Sequence, residues 1–381
     1  LERTLKPPTS ERLAEIRVPT LLILGSLDVP GIQKVIGLLE KGVPGAKKVV
    51  IQGAGHMVNM EKPEEHDRAL LGFLDSLPKG SAGFTNKASA EGYVPADNGI
   101  HLHYRKVGSG PETLVIPWVT LRQADDLSRL AEGRTLIFYS PRGRLRSDTV
   151  DPSQVSFEND LADLETVRRH FGLEKMALLG WSHYGLMTAV YAARHPERVT
   201  RVVQMTPGAP RRDSYREQMD TAIRERVDGA AWSALQKRRE SGELAGKPAE
   251  ACRAQRQVVT AAYLGNPSML SRVPLDDCDL TNEQGEPQQR WWGALFASMG
   301  AWDVRSDLRG LRVPRLVVAG EKDFIPMAAS REWVAGHPEA RLLVLPGVGH
   351  FPLVEAPDRL LSAVEAFLDG RWPEGAEAIS G

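Results

Sequence analysis

Short apolar runs recur along the chain, separated by longer stretches with helical spacing. Thr20–Leu24, Lys48–Ile51, Leu114–Pro117, Leu136–Tyr139, Met176–Leu179, Val199–Met205, Arg315–Ala319 and Arg341–Leu345 are nearly continuous in apolar residues. Runs of that length suit strands of a sheet covered on both faces. Ile100–Arg105 alternates instead and reads as a strand with one exposed face. Between the runs, apolar residues return at helical intervals, as in Leu161, Leu164, Val167 and Phe171 after a capping Ser156. Strands alternating with helices predict an α/β fold with a doubly wound, mainly parallel sheet.

The pattern breaks twice. Residues 207–307 are charged and helical and hold no strand-like run, which predicts a helical cap inserted between two sheet strands. Residues 78–91 (PKGSAGFTNKASAE) are small, polar and interrupted by Gly and Pro, the composition of a linker. Two stretches also resemble each other. Residues 17–75 contain RVPTLLILGSLD and KKVVIQGAGHMVNMEKPEE; residues 312–369 contain RVPRLVVAGEKD and RLLVLPGVGHFPLVEAPDR. Asp28 to Asp323 spans 295 positions, and His56 to His350 spans 294. A repeat at whole-domain spacing makes residues 1–77 an orphaned α/β half-domain with an open apolar sheet edge. It is expected to pack on the main domain, pair with another chain as a dimerisation element, or remain marginally stable. The domains expected are thus 1–77, linker 78–91, a core of 92–206 with 308–372, the cap 207–307, and a tail 373–381.

Composition narrows the function. The 381 residues carry a formal net charge of −1 with acids and bases well mixed. No basic stripe invites nucleic acid or an anionic membrane, and no apolar run reaches spanning length. Two cysteines, Cys252 and Cys278, suggest neither a disulfide framework nor a metal cluster, which makes a reducing, cytoplasmic compartment the expectation. The sequence begins mid-pattern at Leu1, so the lack of a leader says little.

Candidate chemistry gathers at strand ends. Ser182 sits in Gly180-Trp181-Ser182-His183-Tyr184-Gly185, between a buried strand and an apolar helix that stops before Pro196. A tight strand-to-helix turn pushes a serine hydroxyl out beside the positive end of a helix. Asp323 follows the strand Arg315–Ala319, and His350 follows Arg341–Leu345. All three lie past the carboxyl ends of parallel strands, where such sheets place their sites. His350 can take the Ser182 proton, and Asp323 can fix the imidazole tautomer. The backbone N–H of His183 is the expected oxyanion donor, since its side chain adjoins Ser182 and points elsewhere. Tyr184 is bulky where such a turn usually has a small residue. No cofactor or metal is called for. Trp291, Trp292, Leu295, Phe296 and Trp302 near the end of the cap read as cap core, pocket wall or both.

Residues 92–372 resemble α/β-hydrolase fold enzymes, nearest to the branch of proline iminopeptidases and related esterases. GWSHYG resembles the nucleophile elbow, PRGRLRSD the arginine-glycine segment, VPRLVVAGEKD the acid loop and GVGHFPLVEAP the histidine loop. Residues 17–75 resemble the last quarter of the same family, with Asp28 and His56 in the acid and base positions and no serine. The resemblance implies a serine hydrolase acting on a small ester, amide or peptide, with an ester favoured. It implies a second oxyanion donor at Val119 or Thr120, and a substrate pocket including Trp118, Trp181, Trp291, Trp292 and Phe296. There are departures. Pro117-Trp118-Val119-Thr120 lacks the usual His-Gly pair, Ser140 replaces an aspartate, and Glu283 and Glu286 match an amine-binding motif poorly. Prolyl-type aminopeptidase and non-catalytic binding remain the alternatives.

Overall fold

The computed structural model describes residues 13–16, 18–76, 89–117, 123–274, 278 and 287–380. Two compact units divide between Thr85 and Asn86. In the first, strands β1 (Leu21–Gly25) and β2 (Lys47–Ile51) pair in parallel. Helices Pro30–Gly42, Val58–Glu61 and Pro63–Asp75 accompany them. A small core of Ile51, Ala54 and Val58 forms, while Leu27, Leu38, Met60 and Leu74 are exposed.

The second unit is built on nine strands: β3 (Ser89–Pro95), β4 (His101–Gly108), β5 (Glu112–Pro117), β6 (Arg134–Tyr139), β7 (Met176–Trp181), β8 (Val199–Met205), β9 (Arg315–Gly320), β10 (Ala340–Leu345) and β11 (Ala376–Glu377). Their order is β11-β10-β9-β8-β7-β5-β6-β4-β3, with β5 to β10 parallel and both edges antiparallel. Side chains alternate between two cores because successive strand residues face opposite sides. Val115, Ile137, Leu178, Val202 and Val317 pack on one face. Leu114, Leu136, Leu179, Val203 and Leu316 pack on the other. The helix Phe157–His170 starts at Ser156, whose hydroxyl accepts the Asn159 N–H at 3.2 Å. Buried Arg142 of the arginine-glycine segment pairs with buried Asp163 on that helix, Nε to Oδ2 at 2.8 Å.

Residues 207–307 are helical among those described, with helices Arg212–Arg226, Gly229–Glu240, Pro248–Tyr263 and Pro287–Met299. Three expectations need correction. The linker ends earlier than residue 91, because Ser89–Glu91 already pairs in β3. The tail after residue 372 adds β11 to the edge of β10. Cys252 and Cys278 form a disulfide. Two cysteines with no local motif do not announce a pair in sequence; the fold of the insertion brings them together. The disulfide removes the cysteine argument for a reducing compartment. No helix among the described residues is long and apolar enough to cross a membrane.

The disulfide spans a sequence separation of 26. Closing a loop of that size restricts the unfolded insertion by about 3 kcal/mol in the chain-entropy picture. Denatured, unreduced protein should therefore show no titratable thiol. Reduction should lower the thermal midpoint of the insertion, which differential scanning calorimetry with and without reductant would measure.

Candidate active site

Ser182 follows β7 in a conformation few non-glycine residues adopt, with φ 56° and ψ −122°. Such backbone is strained by about 1–3 kcal/mol and persists only where its surroundings enforce it. Here they do. The Ser182 N–H donates to the Met205 carbonyl at 2.9 Å, and the Ser182 carbonyl accepts N–H groups from Gly185, Leu186 and Gly208. Gly180 is obligatory, because a Cβ there would lie 2.2 Å from the Tyr184 carbonyl oxygen. Tyr184 is tolerated two residues after the serine because its side chain turns into the core, where it is buried.

The Ser182 hydroxyl lies 2.9 Å from His350 Nε2. His350 Nδ1 lies 3.0 Å from both Asp323 carboxylate oxygens. Asp323 follows β9 and His350 follows β10, as the sequence suggests, and both side chains are buried. The rings of Trp181, Phe324, Tyr263 and Phe351 surround the imidazole with centroids 4.6–6.1 Å away. Trp181 Nε1–H donates to the His350 carbonyl at 2.8 Å, and the Thr206 hydroxyl donates to it at 3.2 Å. This arrangement can pass a proton from a serine hydroxyl to a neutral imidazole held in one tautomer.

The His183 side chain points away from this centre. Its Nε2 lies 3.2 Å from Asp160 Oδ2, and both side chains are buried. His183 is the first residue of the helix His183–Arg194, so its N–H has no intrahelical acceptor and is free to meet a ligand. Val119 and Thr120, the other oxyanion candidates, lie outside the described residues, as do Trp118, Glu283 and Glu286.

An apolar cleft lies beside Trp181 and Phe351, the chain neighbours of Ser182 and His350. Trp181, Met205, Val273, Pro274, Phe351 and Leu353 line it, with Asp126 the charged group among its described lining residues. Of the described residues expected to line a pocket, Trp181 does. Trp291, Trp292 and Phe296 do not line this cleft. Trp291 is buried, with its Nε1–H on the Arg142 carbonyl at 2.8 Å and the Arg144 guanidinium 4.6 Å from its ring. Trp292 and Phe296 stack at 5.4 Å, and Trp302 extends the stack. These rings fasten the insertion over the arginine-glycine segment and His183. Of the readings the sequence left open, cap core fits Trp291, which is buried.

Sequence reasoning missed Thr206, Tyr263 and Glu355, all of which hold the histidine loop. For Glu355 a signal existed: Glu61 to Glu355 spans 294 positions, the same offset as His56 to His350. In the first unit, His56 Nδ1 lies 3.0 Å from Asp28 Oδ2, the arrangement seen at His350, with the His56 side chain 65% exposed.

A sequence profile of the alpha/beta hydrolase fold matches residues 109–357. Among curated proteins, the mouse serine hydrolase BPHL is 30% identical over 165 residues, covering 41% of this chain and 52% of that protein. Its human counterpart is matched over 40% of its length, so the chain spans about half of these relatives or less. The proline iminopeptidase of Saccharolobus solfataricus is 24% identical over 297 residues, covering 71% of this chain and 90% of that protein. Among solved structures, the proline iminopeptidase of Mycobacterium smegmatis superposes with a TM-score of 0.54 at 19% identity, covering 74% of this chain and 98% of its own. A malate-bound thermophilic esterase from Thermogutta terrifontis gives 0.54 at 21% identity, with coverage of 74% and 98%. At such identities the structural likeness speaks for the fold alone.

The two glycines of the turn should differ in tolerance. Gly180→Ala puts a methyl group into backbone and should cost about 1–3 kcal/mol while displacing Ser182. Gly185→Ala meets its nearest atoms at 3.1 Å and needs only a small shift. Thermal denaturation of both variants, read beside the rate at which each reacts with a fluorophosphonate, should rank Gly180→Ala well below Gly185→Ala on both scales.

Proposed function

This chain belongs to the alpha/beta hydrolase fold family, and we propose that it is a serine hydrolase cleaving small esters that carry an apolar group. The observation that carries this reading is the 2.9 Å approach of Ser182 Oγ to His350 Nε2, at a strained turn. Ser182 attacks the substrate carbonyl while His350 Nε2 takes its proton. Asp323 accepts the Nδ1–H and stabilises the imidazolium. The tetrahedral oxyanion meets the His183 N–H at the positive end of a helix. His350 returns the proton to the departing alcohol. Water activated by the same imidazole then releases the acid from Ser182. Each proton is carried by a residue of the chain, so the cycle asks for no metal or cofactor.

The cleft supports an apolar acyl or alkoxy group, since its lining is aromatic and aliphatic apart from Asp126. Ester cleavage is favoured over peptide cleavage because it needs no dedicated site for a substrate amine. The alternative, a prolyl-type aminopeptidase, draws on the long likeness to the S. solfataricus enzyme.

Wild-type protein should be labelled by a fluorophosphonate, and Ser182→Ala should abolish the labelling. Asp323→Asn should lower ester turnover by about 10⁴ with the fold intact, because the imidazole loses its tautomer. Parallel assays of a p-nitrophenyl ester and a prolyl-arylamide should favour the ester. Faster cleavage of the arylamide would turn the assignment to aminopeptidase, and an unlabelled but folded wild type would turn it to ligand binding.

A further inference from the structure

Glu355 ends the short helix Pro352–Glu355, which follows His350. Its carboxylate accepts four backbone N–H groups. Oε1 accepts those of Gly349 and Phe351 at 3.0 and 3.3 Å, on either side of His350. Oε2 accepts those of Gly265 and Asn266 at 2.8 and 3.3 Å, in the loop leaving the insertion helix Pro248–Tyr263. One carboxylate thus bridges the histidine loop and the insertion.

Two more observations converge on this seam. The His350 N–H donates to the Tyr263 carbonyl at 2.8 Å, at the end of the same insertion helix. The two loops also touch through their glycines: a Cβ on Gly265 would lie 2.3 Å from the Gly347 carbonyl, and one on Gly349 would lie 2.4 Å from the Gly265 nitrogen. Burial pushes the Glu355 carboxyl above its ordinary range, and the four N–H groups pull it down. Among the described residues no lysine, arginine or histidine forms an ion pair with it. Its role is therefore to answer backbone donors of both loops, of which that of buried Gly349 would otherwise go unpaired away from water.

The repeat separates the two halves of this role. Glu61, the matching residue of the first unit, accepts the N–H groups of Gly55 and Met57 at 2.8 and 3.1 Å, on either side of His56. Holding the histidine loop is thus a local property of the motif. The bridge to Gly265 and Asn266 is added only where the insertion is present.

We infer that Glu355 is a positioning residue that sets the His350 imidazole through its loop and fixes the insertion at the spacing that forms the cleft. The cleft walls run along the two segments it joins, with Val273 and Pro274 on one side and Phe351, Pro352 and Leu353 on the other. This role rests on the serine-hydrolase reading of Ser182. Glu355→Ala removes the acceptor for both loops. Glu355→Gln keeps one oxygen and turns the other into a donor, so it can satisfy one loop at a time.

The test uses the full chain and two readouts. Hydrogen exchange by mass spectrometry follows peptides covering 263–266 and 347–351 in wild type, Glu355→Gln, Glu355→Ala and Gly265→Ala. The rate of fluorophosphonate labelling and the steady-state constants for a p-nitrophenyl ester are measured on the same samples. The expected result is loss of protection in both peptides for Glu355→Ala, with kcat and labelling rate down about 100-fold and KM changed much less. Glu355→Gln should fall about tenfold, and Gly265→Ala should reproduce the loss with Glu355 intact. Protection unchanged in either peptide of Glu355→Ala would remove the bridge. Protection lost with labelling and kcat unchanged would make Glu355 a structural tie and overturn the positioning role. An unlabelled wild type with both loops protected would sink the hydrolase reading and the positioning role with it, while the bridge itself stood.

Discussion

The strained backbone at Ser182 is the constraint on which the second unit depends. A non-glycine residue at φ 56° needs continuous support, and the fold supplies it from both sides of the turn. Met205 on β8 accepts the Ser182 N–H; the start of the helix and Gly208 share its carbonyl. Gly180 leaves room for the Tyr184 backbone to close over the strand. In return, the hydroxyl stands clear of the sheet at the positive end of a helix, pointing at the imidazole. The order β10-β9-β8-β7 then matters, because it sets His350, Asp323 and Ser182 past the same edge of the sheet, with β8 between the last two.

Much of this was legible in the sequence, for reasons that can be named. The parallel strands announced themselves because burial on both faces demands nearly unbroken apolar runs. Their carboxyl ends located Ser182, Asp323 and His350, since those residues follow the runs directly. Ser156 was readable as a cap because its hydroxyl acts on a neighbour three residues away. What escaped was nonlocal. Whether Trp291 faced substrate or core depended on where Arg142 and Arg144 lay, and these are almost 150 residues earlier in the chain. The pairing of Cys252 with Cys278 depended on how the insertion folds. β11 was too short to show a period, and its two residues are held by β10. Glu355 repeats Glu61 at the offset of the two histidines, but its four backbone donors come from two segments that only the fold brings together.

The internal repeat shows which features of the centre are local. Asp28 and His56 adopt the same contact as Asp323 and His350 within a unit whose described strands are β1 and β2. An acid loop and a histidine loop after two parallel strands are therefore enough to bring the carboxylate to Nδ1. The difference lies in the surroundings. The His56 side chain is 65% exposed, whereas that of His350 is 4% exposed. His350 is held through its carbonyl by Trp181 and Thr206, through its N–H by Tyr263, and through its flanking residues by Glu355. Those supports come from β7, β8, the insertion and the residues just downstream. A pair made by local sequence sets which groups can meet. Only the nonlocal supports remove water from the imidazole and restrict its direction, and without both a serine hydroxyl stays a weak nucleophile at neutral pH.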